Sequence, residues 1–124
     1  MFVQLKTIKS TRIRGIRHRI SLLRREQATL AQTRKDVLDA QRTMRAQWRE
    51  QCAVSALVSV RQFGKLKLKL ANYHRRDQDF IVEVGKLDER AVQLDRDLDA
   101  ERASLREHLR AEEKLDYLIE HGAA

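Results

Sequence analysis

The sequence predicts an all-α fold, a long antiparallel two-helix coiled-coil hairpin, and three observations predict it. The 124 residues include no proline and only four glycines, so the strongest helix breaker is absent. Charged residues make up 35% of the chain and aromatic residues 5%. That balance suits long helices rich in Ala, Glu, Lys, Leu and Arg, not a thick globular core. Two long segments carry apolar residues at alternating steps of three and four, the coiled-coil signal. The length admits one domain, residues 1–124. The hydrophobic fraction of 42% exceeds that of an ordinary disordered chain, so some surface must be buried.

The first helix is expected over about residues 4–62. Its seam reads Ile13, Ile16, Ile20, Leu23, Gln27, Leu30, Arg34, Val37, Gln41, Met44 and Trp48. Polar residues at a few seam positions weaken burial locally but fix register. Gly15 falls inside this helix and costs it about 1 kcal/mol relative to alanine.

A tip is expected at about residues 60–68, centred on Gly64, because glycine is the usual helix-ending residue. The apolar residues around it, from Val54 to Tyr73, form a region wider than one seam. Lys65-Leu66-Lys67-Leu68-Lys69-Leu70 alternates with a period of two, locally a strand pattern. Lys and Leu are good helix formers and no second strand is apparent, so helix is the preferred reading.

The second helix is expected over about residues 66–121. Its seam reads Phe80, Val84, Leu87, Ala91, Leu94, Leu98, Glu101, Leu105, His108, Glu112, Leu115 and Ile119. A fold-back at Gly64 pairs residues whose numbers sum to 128. Ile13 then lies beside Leu115, Leu23 beside Leu105, Leu30 beside Leu98 and Trp48 beside Phe80. In that register Arg17 and Arg19 approach Glu112 and Glu113, Arg24 and Arg25 approach Glu101 and Glu107, and Arg42 and Arg45 approach Glu83 and Asp88. Fifty helical residues extend roughly 75 Å, so a rod is expected.

Charge is uneven along the chain. Residues 1–49 carry a net +10, residues 50–79 a net +3 and residues 80–124 a net −5, for a total of +8. The two halves attract each other and leave positive charge for a partner. The arginines Arg12, Arg14, Arg17, Arg19, Arg24 and Arg25 are suited either to gripping phosphates or to the solvated face of a helix opposed by acidic residues on its partner helix. No nucleic-acid motif and no interleaved aromatic residues accompany them, so a solvated or protein-binding face is preferred.

Catalysis is not expected. The segment ending in Gly85-Lys86 lacks the glycine a phosphate-binding loop needs, since Phe80 stands there. His18, His74, His108 and His121 show no metal-ligand spacing, and Cys52 has no cysteine partner. A two-helix hairpin offers no cleft to desolvate the carboxylates of the second helix. No catalytic residue, metal, cofactor or small-molecule substrate is therefore expected. The lone cysteine fits a reducing compartment, the cytosol. No apolar run approaches a membrane span. The first 25 residues are acid-free and rich in Arg, Ser and Thr, as in a mitochondrial presequence, but the helical seam begins inside them.

Several stretches together resemble the central stalk proteins of type III secretion and flagellar export, the FliJ/YscO type. They are the start Arg12-Ile13-Arg14-Gly15-Ile16-Arg17, the Gln/Arg/Ala-rich run Arg24 to Arg49, and the closing Glu112-Glu113-Lys114-Leu115. Small size and a single Trp48 near the end of the first helix also fit. The resemblance implies a cytoplasmic coupling protein, peripheral to the inner-membrane secretion apparatus. Its terminal end would insert into a hexameric secretion ATPase through Arg12, Arg14, Arg17, Arg19, Arg24 and Arg25. Its tip would reach the cytoplasmic domain of the export gate through residues such as Leu57, Phe63, Leu70, Tyr73 and His74. Secretion chaperones are further partners it would imply. The alternative is a basic coiled-coil module that binds nucleic acid or mediates dimerisation.

Overall fold

The computed structural model describes residues 1–54 and 60–122, the side chains of residues 60 and 61 excepted. Two helices account for nearly all of it: α1 spans Phe2–Val54 and α2 spans Val60–Glu120. They pack against each other as a two-helix hairpin. No strand occurs among the described residues, and the Lys65–Leu70 alternation lies within α2.

The tip does not centre on Gly64. That glycine lies inside α2, and a β-carbon added to it would meet nothing within 4 Å. The first helix ends earlier than expected, at Val54 and not near 62, and the second begins earlier, at Val60 and not near 66. Gly122, not Gly64, does the work of a helix-ending glycine. Its φ is +62° and its N–H donates to the Ile119 carbonyl at 3.4 Å. This left-handed conformation at a helix end suits glycine because it has no β-carbon to clash.

The chain divides into two compact units. One combines Met1–Ala28 with Ala91–Ala124, and the other is Thr29–Arg90. In the first unit Ile13, Ile16, Ile20, Leu94 and Leu98 are buried. Ile16, Ile20 and Leu98 form its core cluster, with Leu23 and Leu105 packed against them. All seven were read as seam positions, so the three-four spacing identified the buried face. The periphery is looser: Leu115 is half-buried and Ile119 is exposed.

In the second unit the buried side chains are Met44, Leu66, Gln41 and Asp77. Stepping back from Phe80 by three and four lands on Asp77, Tyr73, Leu70 and Leu66. The α2 seam therefore begins well before Phe80.

Register is the main departure from expectation. In the first unit the side-chain partners Lys6–Asp116, Ser10–Glu112 and Gln27–Asp95 have numbers that sum to 122, and Arg19–Glu101 to 120. In the second unit Arg34–Asp88 and Arg45–Asp77 also sum to 122. Trp48 meets the His74 ring edge-to-face at 6.0 Å, not Phe80. Relative to the expected 128 the pairing has slipped by about one heptad. A slip of that size keeps every seam residue facing the partner helix, because the seam repeats every seven residues.

Asp77 shows what this register gains. Its carboxylate accepts hydrogen bonds from Arg45 Nε at 2.7 Å, Arg45 Nη2 at 3.3 Å and Gln41 Nε2 at 3.2 Å. A buried carboxylate is costly unless it is paired and hydrogen-bonded. Here both conditions are met, and no buried side-chain polar atom among the described residues lacks a partner.

Candidate partner-binding surface

The arginine-rich start of α1 lies in the unit that carries both chain termini. Ile13, Ile16 and Ile20 turn into the core, and this fixes the rotation of the helix. The neighbours Arg12, Arg14, Arg17, Arg19, Arg24 and Arg25 are left exposed.

Most of their charge has no counter-charge among the described residues. Arg19 Nε donates to Glu101 Oε1 at 3.1 Å. The other five have no ion pair or hydrogen-bond partner among the described residues. The expected partners are engaged elsewhere. Glu101 meets Arg19, and Glu112 accepts from Ser10 Oγ at 3.2 Å. Asp116 binds Lys6 at 2.6 Å, and this hydrogen bond raises the lysine's pKa. The pairing of Arg17 with Glu112 and of Arg24 and Arg25 with Glu101 is thus corrected by the heptad slip.

Arg17, Arg24 and Arg25 line one groove together with Arg102 of α2. Its volume is about 550 Å³, and Ile20, Leu105, Ser21 and Ala28 complete the lining. No acidic residue lines it. Arg102 was absent from the sequence-based set. Its signal was its place one residue beyond the α2 seam position Glu101, which puts it on the groove side of that helix. Arg12 borders a separate recess with Gly15, Ser104 and His108. The structure therefore brings Arg17, Arg24 and Arg25 together and sets Arg12 apart from them.

The residues expected at the tip are less uniform. Phe63 is 59% exposed, and Leu68, five residues further along α2, is 73% exposed. Leu70 and Tyr73 are half-buried on the α2 seam, and the Arg76 guanidinium lies 5.7 Å above the Tyr73 ring. His74 is exposed and touches Trp48. Leu57 lies outside the described residues.

Among the described residues, no group of three or more His, Cys, Asp or Glu side chains is placed to hold a metal ion. No described helix is long and apolar enough to cross a membrane. What the surface offers is a concave patch of uncompensated guanidinium groups over a partly apolar floor. Such a patch can bind and orient an anionic partner. No protein-family model, curated protein or solved structure matches the chain.

Proposed function

We propose that this chain is a non-enzymatic coupling protein of a type III protein secretion system. It links a hexameric secretion ATPase to the cytoplasmic domain of the export gate, as a cytoplasmic component peripheral to the inner membrane. The observation that carries this reading is the set of five arginines without partners among the described residues, Arg12, Arg14, Arg17, Arg24 and Arg25, on the unit holding both termini. Unpaired surface guanidinium groups cost little to maintain and gain most when a partner supplies carboxylates. The resemblance to the FliJ/YscO-type stalks assigns that partner to the ATPase. The exposure of Phe63 and His74 supports a second contact surface for the gate.

The test is stimulation of a purified secretion ATPase by the full-length chain. The variant Arg12→Glu/Arg17→Glu/Arg24→Glu is expected to reduce stimulation at least tenfold while leaving the helical circular dichroism unchanged. These side chains are exposed, so the fold does not depend on them. Wild-type chain that fails to stimulate the ATPase would sink the proposal. The same charge supports a basic coiled-coil module on nucleic acid, and that reading requires binding to a DNA duplex that falls steeply with salt.

A further inference from the structure

We propose that the groove of Arg17, Arg24, Arg25 and Arg102 receives an acidic amphipathic helix of a partner protein as a third helix on the hairpin. This rests on reading the unit as a protein-docking surface, and it names the chemistry of what docks. Charge complementarity selects the occupant. Four guanidinium groups border the groove and no carboxylate does, and none of the four has a partner among the described residues. An arginine fork binds carboxylates in pairs of parallel hydrogen bonds, which rewards a Glu or Asp side chain held in a fixed orientation.

The spacing selects a helix. Arg17 and Arg24 are one heptad apart on α1, about 10 Å along the axis. Ser21 and Ala28 repeat at the same interval on the same stripe. Long cationic and short side chains therefore alternate along this wall. The short ones admit a neighbouring backbone, and the arginines reach past it to its flanks. A helix laid in the groove would present an acidic flank residue every heptad at matching intervals. The floor adds apolar surface from Ile20 and Leu105, which an amphipathic peptide covers with leucine. A phosphodiester backbone has nothing to place there, so the floor favours peptide over nucleic acid.

The probe is a fluorescein-labelled synthetic peptide of three heptads, with Leu at the two seam positions and Glu at the two flanks. Its anisotropy is titrated with the full-length chain. Arg17→Glu/Arg24→Glu is expected to weaken binding at least tenfold. Lys65→Glu/Lys67→Glu, an equal charge change outside the groove, is expected to weaken it less than twofold. Replacing every Glu of the peptide by Gln should also cost at least tenfold. Equal losses for the two double variants would mean that net charge alone attracts the peptide, and would overturn the proposal. So would a short DNA duplex that competes for the groove and binds more tightly than the peptide. The assay contains no ATPase. Peptide binding without ATPase stimulation would keep the groove and remove the stalk function; stimulation without peptide binding would do the reverse.

Discussion

Leu98→Ala is expected to destabilise the protein by about 3 kcal/mol, within the usual range for truncating a buried leucine. Leu98 is 2% exposed and sits with Ile16 and Ile20 in the core of the unit that holds both termini. Leu23 and Leu105 close over that cluster. A coiled-coil layer has few neighbours to spare, so the loss removes both transfer energy and contacts that cannot be remade without a cavity. Urea unfolding followed by helical circular dichroism measures the cost. Ile119→Ala is the control, because Ile119 occupies the same seam but is exposed, and its cost should stay within about 0.5 kcal/mol. Equal costs at the two positions would mean that the seam is not graded in burial as described.

Asp77→Ala is expected to cost about 2 kcal/mol at neutral pH, the loss of a buried, charge-assisted hydrogen-bond acceptor. It leaves the Gln41 amide buried without its partner, and Gln41 is itself almost fully buried. The effect should depend on pH with a defined sign. Hydrogen bonds from Arg45, opposed in part by burial and joined by that from Gln41, hold the Asp77 carboxyl below its ordinary value of 3.8. A group depressed in the folded state contributes stability above its unfolded pKa and loses it as pH falls through its folded pKa. The urea midpoint of wild type should therefore approach that of Asp77→Ala as pH drops from 5 to below the ordinary carboxylate value. A difference between the two that stays constant across that range would remove Asp77 as a titrating contributor.

The seam, the helical class and the arginine cluster were legible in the sequence because each is a local pattern. Ile13, Ile16, Ile20, Met44, Leu94 and Leu98 are buried where the spacing placed them. Register was not legible, because heptad patterns align equally well every seven residues. Gly64 is the fulcrum that the sequence suggests, yet a glycine inside a helix costs only about 1 kcal/mol. Pairing a buried carboxylate is a larger consideration. Asp77, the residue that distinguishes one register from the next, lies one step before Phe80, and a carboxylate does not stand out as a seam residue in the three-four pattern.

The candidate surface was half legible for the same reason. Which arginines are exposed follows from the helical rotation that Ile13, Ile16 and Ile20 impose. Which of them keep their charge depends on where the α2 carboxylates fall, and hence on register. With the observed pairing Glu101 and Glu112 are taken by Arg19 and Ser10. Arg17, Arg24 and Arg25 then face the groove with Arg102 and no counter-charge. A one-heptad difference in pairing thus turns a face expected to be internally neutralised into one whose arginines lack counter-charges among the described residues.

Site-directed cross-linking of the first unit tests this register most directly. With Cys52 replaced by serine, one variant carries Gln27→Cys and Asp95→Cys, at side chains that touch at 2.7 Å. A second carries Gln27→Cys and Arg102→Cys, one heptad further along α2, about 10 Å along its axis. A short bismaleimide should join the first pair within one chain and leave the second pair largely unjoined. Efficient joining of 27 to 102, with little between 27 and 95, would contradict the register and the carboxylate-free groove built on it.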